Sequence, residues 1–66
     1  MRITLNGEPH DVPGPLSLGD LLGRFELDPR KVAIERNLAI VPRSAYGETA
    51  LADGDRLEIV HFIGGG

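Results

Sequence analysis

The chain has 66 residues, ten acidic against seven basic, a formal net charge of −3 and no cysteine. That length allows one domain with a thin core, since a chain of this size buries only about 60% of its unfolded surface. The missing cysteine excludes disulfides, thiol catalysis, thiolate zinc sites and iron–sulfur clusters, and the acidic balance excludes the basic footprint of a nucleic-acid binder.

Arg2-Ile3-Thr4-Leu5-Asn6 alternates polar and apolar residues, the period of a half-buried strand. Asn6-Gly7 follows as a hairpin turn, because both residue types tolerate positive φ. Glu8 to Val12 returns as a second strand, and Pro9 marks it as an edge. Pro13-Gly14-Pro15 breaks the pattern into a loop.

Ser17 is a helix N-cap, with Asp20 at the third helical position completing a capping box. Leu18, Leu21, Leu22 and Phe25 recur at i, i+3, i+4 and i+7 as one apolar stripe. Gly19 and Gly23 each lower helix propensity by about 1 kcal/mol relative to alanine. Leu27-Asp28-Pro29 is the expected end of the helix.

Val32 and Ile34, continued by Arg36, share one face of a third strand, with Ala33 and Glu35 on the other. Ile40-Val41 reads as a short strand after a turn near Asn37, and Pro42 to Gly47 as irregular. Asp53-Gly54-Asp55 is a turn. Arg56 to Phe62 is the last strand, where Leu57 and Ile59 alternate against Arg56 and Glu58. The order predicts an α+β domain with one helix on one face of a sheet, the first and last strands pairing in parallel at its centre. The expected core is Ile3, Leu5, Leu16, Leu18, Leu21, Leu22, Phe25, Val32, Ile34, Val41, Leu51, Leu57 and Ile59.

No catalytic constellation is present. His10 and His61 do not make a metal site alone, and His61 reads as a strand residue. Ser17 and Ser44 lack a nucleophile-elbow context. The scattered acids Asp11, Asp20, Glu35, Glu48, Asp53 and Asp55 read as surface and turns. No apolar run approaches the eighteen or so residues of a membrane span. The N-terminus enters a strand pattern at once, so no signal peptide and a cytoplasmic location are expected.

The chain ends on Ile63-Gly64-Gly65-Gly66. Taken alone, a glycine tail is a frayed end or a cloning remnant. It is also a segment slim enough to thread a narrow channel, ending in a sterically open carboxylate. Val60 and Phe62 fall on the strand face opposite Leu57 and Ile59, with Ala33 beside them. They form either a docking patch next to the tail or a surface covered by the loop from Pro42 to Thr49.

The strings "ITLNGEP", "VAIERN", "IVPRSAY" and "LADGDRLEIVHFIGGG" resemble the ubiquitin-like β-grasp sulfur carriers, specifically the thiamine-biosynthesis (ThiS) type, over the whole chain. The chain departs from them at Leu38-Ala39, where family members often carry glycine after the asparagine. The resemblance implies a mixed sheet of four to five strands with one main helix, a β-grasp domain over 1–62 and a flexible glycine tail over 63–66. It implies a protein that is not itself an enzyme and binds no cofactor. Gly66 would be adenylated by an E1-like, ThiF-type adenylyltransferase using Mg-ATP and converted to a thiocarboxylate by a persulfide sulfur donor. A ThiG-type thiazole synthase would then consume the sulfur. Gly64 and Gly65 would enter the partner sites, and Val60, Phe62 and Ile63 would dock. A molybdopterin-type carrier and a non-covalent β-grasp binding module are the competing readings.

Overall fold

A computed structural model describes residues 1–62. Strands β1 (Arg2–Leu5) and β2 (Glu8–Asp11) form a hairpin, followed by helix α1 (Leu18–Arg24). Strands β3 (Val32–Arg36), β4 (Ala39–Val41) and β5 (Arg56–His61) come after it. One five-stranded sheet has the order β2-β1-β5-β3-β4. Only the central β1–β5 pair is parallel; β2 lies outside β1 as an edge, where Pro9 has no ladder bond to donate.

The β1–β2 turn has Asn6 at φ 49° and Gly7 at φ 84°, the left-handed pair a two-residue hairpin requires. The β3–β4 turn is built the same way, with Asn37 at φ 52° and Leu38 at φ 74°. Leucine therefore occupies a left-handed position that glycine fills without steric cost.

The capping box forms as the sequence predicts. Asp20 N–H donates to Ser17 Oγ at 3.0 Å and Ser17 N–H donates to Asp20 Oδ2 at 3.1 Å. The helix is shorter than expected, because Glu26 turns left-handed at φ 58°. Leu27 N–H then donates to Leu22 O at 2.8 Å and Glu26 N–H to Gly23 O at 3.2 Å, a Schellman closure without its usual glycine.

Leu18, Leu21 and Leu22 of α1 pack on Ile3, Leu5, Val32, Ile34 and Leu57 of the sheet, with Leu51 beside them. Leu16, Phe25, Val41 and Ile59 line the margin of this core, half-buried. Val12 and Tyr46 are additional core members. Tyr46 lies in a 3₁₀ turn over Arg43–Glu48, within the segment expected to be irregular, and its hydroxyl donates to Val32 O at 3.3 Å. That turn packs against α1 so closely that a Cβ on Gly19 would lie 3.3 Å from the Gly47 Cα. The helix-weakening Gly19 is thus explained by contact. Among the described residues, no helix is long and apolar enough to cross a membrane.

Candidate functional site

Strand β5 is the centre of the sheet and leads to the expected tail. On one side Thr4 N–H donates to Asp55 O and Asn6 N–H to Leu57 O, both at 2.9 Å. On the other side it pairs with the whole of β3, from Arg36 opposite Leu57 to Val32 opposite His61. The pairing continues one step further, where Phe62 N–H donates to Lys31 O at 2.7 Å. Ile63, Gly64, Gly65 and Gly66 lie outside the described residues.

Two left-handed asparagines fasten β5 with their side chains. Ile59 N–H donates to Asn6 Oδ1 and Asn6 Nδ2 donates to Ile59 O. Arg56 N–H donates to Asn37 Oδ1 at 2.9 Å, and Asn37 N–H donates to Arg56 O at 2.8 Å. Just before β5, the buried Asp55 accepts from Ala52 N–H at 2.8 Å, Arg36 Nε at 2.9 Å and Asn37 Nδ2 at 3.1 Å. Burial alone pushes the Asp55 carboxyl up. These hydrogen bonds and the Arg36 charge outweigh it and hold the carboxyl below its ordinary value. The strand is thereby fixed at its start, along its length and at Phe62.

The face of the sheet away from α1 is open. Strand alternation puts Leu57 and Ile59 on the helix side and Glu58 and Val60 on the other. Val60 is 60% exposed and Phe62 43%. The segment Pro42–Thr49 does not cover them. It lies on the helix side, tied there by Tyr46 and by the Leu18 N–H bond to Thr49 O at 2.8 Å. Ala33 stands opposite Val60, and Ile40 opposite Glu35 on the neighbouring strand.

The sequence did not mark Ile40 as part of this surface; it is 78% exposed, and Leu38, in the β3–β4 turn, is 79% exposed. The large exposed hydrophobics among the described residues are these two with Val60 and Phe62, all on or next to β4 and β5. A three-residue β4 is too short for alternation to show which way Ile40 points; its pairing with Glu35 does so.

Among the described residues, no three His, Cys, Asp or Glu side chains gather as a metal site. His10 instead packs against Phe25, ring centroids 5.4 Å apart and planes tilted by 55°.

The five-stranded mixed sheet with one helix on one face is what the sequence resemblance implied, and its parallel central pair is what the element order predicted. The model of the ThiS family matches residues 3–66. The chain belongs to the ThiS family. A solved ThiS structure from Geobacter metallireducens superposes with a TM-score of 0.84 at 35% identity, each chain covered in full. The fold is therefore the ubiquitin-like β-grasp of ThiS proteins. The sulfur carrier protein ThiS of Bacillus subtilis is 44% identical over 50 residues, 76% of each chain. A thiazole synthase of Paramagnetospirillum magneticum is 52% identical over all 66 residues of this chain. The chain spans 20% of that protein's length.

Proposed function

We propose that the chain is a sulfur carrier of thiamine biosynthesis, modified at the carboxylate of Gly66 by partner enzymes. The observation that carries this reading is the ThiS family match, which runs through the glycine segment to residue 66. The thiamine branch, rather than the molybdopterin one, is supported by the relatives' names: a ThiS carrier and a thiazole synthase.

A carboxylate is a poor acyl donor until it carries a leaving group. An E1-like adenylyltransferase of the ThiF type supplies one. The Gly66 carboxylate oxygen attacks the α-phosphorus of Mg-ATP, pyrophosphate leaves, and an acyl-adenylate results. The outer sulfur of a persulfide then attacks the acyl carbon and AMP leaves. Cleavage of the S–S bond by a thiol, which takes up the other sulfur as a disulfide, leaves the thiocarboxylate. A thiazole synthase of the ThiG type is the proposed consumer of that sulfur.

This chain's part is to bind and present. Glycines at 64 and 65 have no β-carbon and pass where other residues do not. The described strand β5 gives the tail a fixed origin. Val60 and Phe62, with Ile63 following, form the grip next to it. The exposure of Val60 and Phe62 supports that role. A reading as a non-covalent binding module predicts no chemistry at Gly66.

Deleting Gly66, or changing Gly65→Val, tests the reading. Both variants should keep the fold and lose ATP-dependent pyrophosphate release by the adenylyltransferase. A Gly66 deletion that supports normal release contradicts it.

A further inference from the structure

On the open sheet face, cross-strand neighbours follow a charge rule at one place and break it at another. Arg2 and Asp11 are directly opposite on β1 and β2 and form an ion pair at 3.0 Å. Glu35 and Glu58 are directly opposite on β3 and β5, both exposed, with like charge. Side chains so placed have Cβ atoms about 4.5–5.5 Å apart, and like charges there are destabilising. The ion pairs among the described residues are Arg2–Asp11, Arg30–Asp28 and Arg36–Asp55, and none includes Glu35 or Glu58. Arg56, two residues along β5 on the same face, makes no side-chain bond to either carboxylate.

The pair sits within an apolar frame. Ala33, Ile34, Glu35, Ile40, Glu58 and Val60 line a shallow trough of about 90 Å³. That is too small to seat a helix about 10–12 Å across, and it suits the head of one long side chain. Ile40 flanks the carboxylates on one side and Val60 follows Glu58 along β5.

We infer that Glu35 and Glu58 together receive one arginine side chain from the activating enzyme. The inference rests on the reading of the chain as a carrier gripped by an adenylyltransferase. A guanidinium carries fixed charge and a planar fork of five N–H donors, enough to serve two carboxylates at once. Its aliphatic stem lies on the apolar rim, as such stems do. The arriving arginine offsets the repulsion that opposes the pair in the isolated carrier, so the pair weakens the lone fold and strengthens the complex. A purely structural role gives no such opposition.

The test uses the full chain with an E1-like adenylyltransferase, in Glu58→Gln and Glu58→Lys variants. Thermal melts read the fold and calorimetric titration at low and high salt reads the complex. Glu58→Gln should melt about 1–4 °C higher than the wild type and bind about tenfold more weakly. Glu58→Lys, which places an ammonium opposite Glu35, should exceed it in both directions. The wild-type affinity should fall with salt more steeply than that of either variant. Variants that bind as the wild type does, or that melt below it, overturn the arginine site while leaving the carrier reading intact. A wild-type chain that neither binds nor is adenylated overturns both.

Discussion

Asn6 and Ile59 exchange two hydrogen bonds across the centre of the sheet. Ile59 N–H donates to Asn6 Oδ1 at 2.8 Å, and Asn6 Nδ2 donates to Ile59 O at 3.1 Å. The asparagine amide imitates a peptide group and prolongs β1 beside β5 after the backbone has turned away. The left-handed φ of Asn6 that makes the hairpin also aims the side chain. One residue therefore serves the turn and holds the strand that leads to Gly66.

Replacing Asn6 by alanine should cost about 1–2 kcal/mol, from two lost hydrogen bonds in partly solvated positions and the poorer fit of alanine to positive φ. Asn6→Gly should cost less, because the backbone penalty vanishes. Denaturant unfolding gives the energies. Hydrogen exchange at the Ile59 amide should speed up in both variants. Unchanged exchange there would mean the side-chain bond does not protect the strand.

Asp55 predicts an acid-sensitive fold. Its carboxyl lies below the ordinary 3.8 in the folded chain, while the unfolded chain titrates near that value. The unfolded state thus binds the proton more readily. The stabilisation is complete above about pH 4 and is lost as pH falls through the folded value. Asp28, held to about 2 mainly by its hydrogen bonds from Arg30, acts in the same direction. Asp55→Asn should be less stable at neutral pH and show a flatter decline below pH 4. Melting curves from pH 7 to pH 2 measure both. An Asp55→Asn protein with the wild-type acid slope would remove Asp55 from this account.

Much of this was legible from short-range signals. Asn6-Gly7 specified its turn because both residues favour the same φ. Ser17 and Asp20 announced the helix start, and the leucine stripe announced its buried face. The helix end was not legible, since Glu26 takes the left-handed position without being glycine and only the packing of Leu27 reveals the stop. Tyr46 was not legible because six residues of 3₁₀ helix are too short to show an apolar period, and its burial depends on α1 arriving from elsewhere. Val12 lies past the end of β2. It is buried because Met1 clasps it, the terminal ammonium donating to Val12 O at 2.8 Å and Val12 N–H donating to Met1 O at 2.9 Å. The open face was half legible: alternation along the last strand placed Val60 and Phe62, whereas Ile40 needed the register of a neighbouring strand.

Leu57 and Phe62 should separate stability from binding. Leu57 is fully buried, and Leu57→Ala should lose about 2–5 kcal/mol through a cavity. Phe62 is exposed, and Phe62→Ala should change stability by less than about 1 kcal/mol. The same change should weaken adenylyltransferase binding by more than about 1 kcal/mol. Thermal melts and titration calorimetry of the two variants decide. A Phe62→Ala protein that melts early and binds normally would move Phe62 from the docking surface to the core.

The central claim is that Gly66 carries sulfur. Intact-protein mass spectrometry, after incubation with Mg-ATP, an E1-like adenylyltransferase, a persulfide donor and a thiol, tests it most directly. The predicted product is heavier by the exchange of one oxygen for one sulfur, with the change confined to the peptide ending at Gly66 and absent when Gly66 is deleted. An unmodified mass with partner enzymes that are active on another carrier, or sulfur found elsewhere in the chain, would contradict it.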